Sequence, residues 1–238
     1  MPSRGQELRI FLMRKTAIFL LSLILVSCAS TGTYYSPEEK SASLERLSED
    51  MLLYISSDYS IPAETIVSYL PSAYTTYSLY VPLYGRTALS YASAISDIVS
   101  PLVPSVYSVL RERMRASASE ASDSSISSDT GFTDAVRLSS YAEIVQLYRN
   151  ELKDEDDALS VAYRPSLDEF SSIRKAYMNL TKVGHTVYIP QPVPIDDEAL
   201  SRMMADYLFT VLSEAEKMLK NQPPENADSP YNIFWRQK

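Results

Sequence analysis

Histidine and cysteine occur once each in the 238 residues, as His185 and Cys28, and glycine only five times. Any site that needs two imidazole or thiolate ligands, or a Cys/His pair, is excluded by counting. Gly5, Gly32, Gly85, Gly131 and Gly184 are too scattered to build a phosphate-cradling loop. Scarce glycine also disfavours a hairpin-rich β-protein, whose tight turns draw on residues with positive φ. The rest, 45% apolar and 22% charged residues, is an ordinary globular balance, long enough for one sizeable core. The expected fold class is all-α, a single compact multi-helix domain.

The lone cysteine stands at the end of a basic start and an apolar run of about eleven residues, Arg14 to Cys28. That run is shorter than the roughly twenty residues a membrane span needs, and has the shape of an export signal. Leu25-Val26-Ser27-Cys28, followed by the polar Ala-Ser-Thr-Gly-Thr, resembles the bacterial lipobox. The resemblance implies removal of residues 1–27, with Met13 as an alternative start, and acylation of Cys28. Acyl chains contribute about 0.8 kcal/mol per buried CH₂, so several make a lasting membrane anchor. Residues 28–36 then form a lipidated linker, 37–223 a helical domain and 224–238 a tail. Ala29, rather than Asp, after the cysteine points to the outer membrane more than the inner one.

Loss of residues 1–27 removes four basic residues and one acidic residue, leaving 18 basic against 29 acidic and a net charge of −11. Such a body repels phosphate backbones, so no nucleic-acid partner is expected.

Ser36-Pro37-Glu38-Glu39 reads as a capping box opening a helix over about 37–56, with Leu44, Leu47, Met51 and Ile55 on its buried face. Asp58 to Pro62 breaks it. Arg111 to Arg115 reads as a basic helix end, and Ala116 to Thr130 as a solvated helix end plus loop. A helix capped by Thr130 or Thr133 follows, with Ala135, Leu138, Tyr141, Ile144 and Leu147/Tyr148 as its stripe. Asp154 to Asp157 opens another segment, which Pro165-Ser166 restarts and Gly184-His185 stops. After the stiff Pro190-Pro192-Pro194 connector, a long helix over about 196–220 carries a stripe from Leu200 to Leu219. The closing Tyr231 to Trp235 is expected to fold back over an apolar groove.

Between Ile66 and Leu110 only Arg86 and Asp97 are charged, while tyrosine, serine and aliphatic residues fill the segment. Helical spacing joins Tyr77, Tyr84 and Tyr91, with breaks near Pro71, Pro82 to Gly85, and Pro101 to Pro104. Three readings stand: a core helix, a Tyr-lined groove for an apolar ligand built on Tyr77, Tyr84, Arg86 and Tyr91, or a surface for an envelope protein partner.

Chemistry has few footholds. The acid clusters at 154–157 and 196–198 lack a calcium-loop pattern and suit helix starts, so no metal and no cofactor is expected. Ser172-Ile173-Arg174-Lys175 matches Ser-x-x-Lys, but about one such match arises by chance, and its companion motifs are absent. His185 has no Gly-x-Ser-x-Gly elbow to serve. A hydrolase using Ser172/Lys175 or His185 is therefore the outlying alternative to a non-enzymatic binding protein or an envelope spacer.

Leu208-Phe209, Leu212-Ser213, Glu216, Leu219-Lys220 and Pro223 fall at the spacings of the C-terminal signature of the bacterial domain of unknown function 4197 family. Phe132-Thr133-Asp134-Ala135, Tyr163-Arg164 and, more weakly, Arg86-Thr87-Ala88 resemble further steps of that family across residues 83–223. The Tyr231 to Trp235 tail departs from it. The resemblance implies an all-helical exported envelope protein and assigns no activity or functional residue.

Overall fold

The computed structural model describes residues 35–70, 82–120, 122–180, 194–224, 226 and 229–235. Among them every regular element is a helix: α1 (Pro37–Asp58), α2 (Ala63–Tyr69), α3 (Pro82–Val99), α4 (Pro104–Ser119), α5 (Asp123–Ser127), α6 (Gly131–Asp154), α7 (Asp156–Leu180), α8 (Asp197–Asn221) and α9 (Asn232–Trp235). The described residues from Ser36 to Trp235 cluster as one compact unit, as expected of a single all-α body.

α1 starts where its cap requires. The Ser36 hydroxyl accepts the Glu39 N–H at 3.1 Å while the Glu39 carboxylate accepts the Ser36 N–H at 2.8 Å, and Pro37 occupies the first turn. Leu44, Leu47, Met51 and Ile55 are buried as the spacing predicts. α1 packs on α4, whose own stripe is Val106, Leu110, Met114 and Ala118. α8 lies against α6, α1, α2 and α9, and buries Leu200, Met203, Met204, Leu208, Phe209, Leu212 and Ala215. A second group sets α3 between α2 and α7. The α1–α2 connector is tied to it, because the Ser96 hydroxyl donates to the Ile61 carbonyl and the Ile61 N–H donates to Ser100 Oγ at 3.1 Å.

Four local expectations are corrected. α4 runs to Ser119, so Arg111, Arg113 and Arg115 lie inside it rather than at its end. The segment 116–130 contains α5, with Ser125 and Ile126 buried and Ser122 as N-cap. On α6 the buried stripe is Phe132, Val136, Ser140, Ile144, Tyr148 and Leu152, while Leu138 is 89% exposed. Ser140 escapes a polarity-based reading because its hydroxyl donates to the Val136 carbonyl at 2.6 Å and so enters the core satisfied. Finally, α7 passes through Pro165 without a restart. Val161, whose carbonyl loses its helical partner to the proline, is 69% exposed, so water can replace that bond.

The segment Tyr231 to Trp235 folds back as expected. Ile233 and Phe234 are buried, the Tyr231 hydroxyl donates to Asp50 at 2.7 Å, and the Trp235 indole N–H donates to the Gln222 carbonyl.

Candidate functional site

Polar groups converge most closely at the end of α8. Glu216 Oε1 accepts the Phe132 N–H at 3.0 Å and Oε2 accepts the Thr133 N–H at 2.7 Å, so a carboxylate from α8 caps the start of α6. The Lys220 ammonium donates to Glu216, to the Ser125 carbonyl at 2.6 Å and to the Ser128 carbonyl at 2.8 Å. It also lies 5.2 Å from the centre of the Phe234 ring. Both side chains are buried, and with so many of their bonding positions filled by protein they form a lock between α5, α6 and α8. Sequence placed Glu216 and Lys220 in the signature-like spacing of the last helix; nothing local announces their burial.

A different arrangement leaves room for a ligand. A concavity of about 430 Å³ opens between the end of α1 and the α3–α4 junction, within the roughly 300–1,000 Å³ typical of small-molecule sites. Ile55 and Tyr59 line one side; Leu102, Pro104 and Tyr107 line the other. Tyr59 is anchored from behind: its ring meets Tyr207 at a centroid distance of 5.9 Å. Its hydroxyl is buried in the neighbourhood of that of Tyr148. Burial, then the neighbouring Tyr148 and Tyr207, pushes the Tyr59 phenol well above the ordinary tyrosine range. Burial likewise pushes Tyr148 up to about 12. Tyr59 is therefore an uncharged, fixed wall of the concavity at neutral pH, with Tyr148 packed behind it.

The tyrosine surface expected from sequence is not assembled as such. Tyr91 is fully buried: its hydroxyl accepts the Ile195 N–H at 3.0 Å and its ring meets Tyr163 edge-on at 5.5 Å. Burial pushes its phenol up to about 12, which the bond from Ile195 only partly offsets. Tyr91 is thus a core residue, and its inclusion in a ligand surface is corrected. Arg86 is exposed on α3, Tyr77 lies outside the described residues, and so does the side chain of Tyr84. Cys28, Leu25, Val26, Ser27 and His185 also lie outside them. Ser172 and Lys175 are exposed on α7, where the Ser172 hydroxyl donates to the Asp168 carbonyl at 2.9 Å. Among the described residues no group of three or more His, Cys, Asp or Glu side chains is placed to hold a metal ion.

Comparison with family models, with curated proteins and with solved structures finds no match. The likeness to the family of unknown function therefore rests on motif spacing alone. In the structure Phe132 and Thr133 are bonded to Glu216, and Lys220 closes the same network. That cluster is built to hold helices together. The open groove, by contrast, holds the tyrosines that sequence reading missed. Tyr59 sits inside a helix break and Tyr107 follows Pro101 and Pro104, positions that carry no periodic signal of their own.

Proposed function

We propose that this chain is a non-enzymatic, lipid-anchored protein of the cell envelope, more suited to the outer than the inner membrane, that binds a small apolar ligand. The anchor is Cys28, in the Leu25-Val26-Ser27-Cys28 context. The binding site is the groove between Tyr59 and Tyr107. One observation carries the reading: about 430 Å³ of accessible space bounded by Ile55, Tyr59, Leu102, Pro104 and Tyr107 on an otherwise strongly acidic chain. Flat aromatic walls hold an apolar guest at little conformational cost.

The test uses N-phenyl-1-naphthylamine, a neutral dye that brightens in apolar sites. Saturable binding that Leu102→Glu abolishes supports the proposal; no binding to a folded protein overturns it. Cell fractionation tests the anchor, since Cys28→Ala should free the protein from membranes or leave an uncleaved precursor. Unchanged size and fractionation in Cys28→Ala would remove the lipoprotein reading. A second reading, a structural spacer in the envelope, is favoured by the burial of Tyr91. It predicts a protein that binds no dye and whose loss weakens the envelope.

A further inference from the structure

Beside the apolar groove lies a second concavity of about 200 Å³ that shares Ser56 and Tyr107 with it as walls. Leu52 and Leu53 continue the apolar lining, and Leu53 is 67% exposed. The far wall is cationic, formed by Arg111 and Arg115. Tyr107, Arg111 and Arg115 follow one another at four-residue spacing on α4, so they share one face of the helix. The Arg111 guanidinium stacks over the Tyr107 ring at 5.5 Å, which orients it along the groove.

The pairing of charges around this wall is uneven. Arg113, between the two, turns to Glu143 at 3.0 Å, and Arg46, Arg137 and Arg202 each have a carboxylate partner. Among the described residues no carboxylate lies within ion-pair distance of Arg111 or Arg115. Glu49, the one acid lining the concavity, is 3.6 Å from Arg46. Two guanidiniums that no described carboxylate pairs, at the mouth of an apolar groove on a chain of net charge −8, supply charge complementarity for an anion with an apolar body.

We propose, resting on the reading that the groove binds an apolar ligand, that its ligand is a single-chain amphiphile with a carboxylate head. The tail lies between Tyr59, Leu102 and Tyr107, and the head meets Arg111 and Arg115. A monoanionic carboxylate fits better than a dianionic phosphate monoester, because the surrounding acidic body repels the second charge.

The experiment uses the full chain in nanodiscs of zwitterionic lipid and two photoreactive probes of equal length, a diazirine-bearing lauric acid and the matching lauryl alcohol. Cross-linked peptides are mapped by mass spectrometry. The acid is expected to label residues 52–59 and 102–107 saturably, at roughly tenfold lower concentration than the alcohol. The exposed double variant Arg111→Gln/Arg115→Gln should bring the acid down to the alcohol's level and leave the alcohol unchanged. Equal labelling by both probes, insensitive to that variant, overturns the head-group assignment while leaving the apolar groove intact. Competition by lauryl phosphate at lower concentration than laurate overturns the choice of carboxylate. Absence of saturable labelling by either probe overturns the groove reading itself.

Discussion

Glu216 and Lys220 face each other one helical turn apart in the interior, with 0% and 2% of their side chains exposed. The pair is more than a salt bridge. Glu216 receives two N–H groups of α6, and Lys220 fills two carbonyls of the α5 region. Lys220→Met should therefore destabilise the protein by about 3–5 kcal/mol, since it strands a buried carboxylate. The double variant Glu216→Leu/Lys220→Met should cost less than the sum of the single changes, yet not return to wild type. It still leaves backbone groups buried and unpaired, at about 1–3 kcal/mol each. Urea titration of the four proteins in a double-mutant cycle measures this, and a fully stable double variant would contradict it.

Gly131 is held by space rather than by backbone angle. A Cβ there would stand 2.2 Å from the Ser124 carbonyl oxygen, a backbone atom of α5. Gly131→Ala must push α5 away from α6 and disturb the carbonyls that Lys220 uses, at about 1–3 kcal/mol. Thermal melting should fall by several degrees. An unchanged midpoint would mean that α5 yields without resistance.

Removal of the Tyr91 hydroxyl leaves the Ile195 N–H buried without its acceptor. Tyr91→Phe should cost about 1–3 kcal/mol and speed hydrogen exchange at the Ile195 amide. Exchange unaltered at that amide would argue that another acceptor takes over.

Alkaline pH should unfold the protein through its buried phenols. Tyr91 and Tyr148 are pushed up to about 12, with burial the main cause, whereas tyrosines of an unfolded chain ionise near their ordinary value of 10. The folded state binds these protons more tightly, so their contribution is complete below pH 10 and is lost as pH rises from 10 to 12. Tyrosinate absorbance and helical circular dichroism followed together should show the buried fraction ionising with loss of helix. Ionisation of every tyrosine near 10 with the helices intact would refute the burial.

Phe234→Ala opens the seat of α9 and uncovers Lys220, at about 3–5 kcal/mol. The sole tryptophan, Trp235, reports the event, because its indole is bonded to the Gln222 carbonyl only while the segment is docked. A red shift in its emission before global unfolding is the expected signal; an emission spectrum identical to wild type would count against docking.

Much of the helical frame is legible locally. The capping box at Ser36 and the stripes of α1 and α8 combine cap, period and dipole in one direction, and those elements form as the pattern predicts. The reading fails where polar residues enter the core already satisfied, as Ser140 does, or where a short helix is written in serine and aspartate, as α5 is. The scarcity of charge around Tyr91 does signal burial, and only the structure separates core from groove there. The groove itself joins Tyr59 to Leu102 and Tyr107, distant in sequence and brought together by the α1–α4 packing. No local periodicity encodes such a meeting.

The hydrogen bond from Tyr231 to Asp50 spans 181 positions of sequence. During synthesis the first long helix waits for one of the last segments to emerge before that contact can form. High separation between contacting residues slows folding, and the seat of the Tyr231 segment beside α1 stays unfilled until that segment is made.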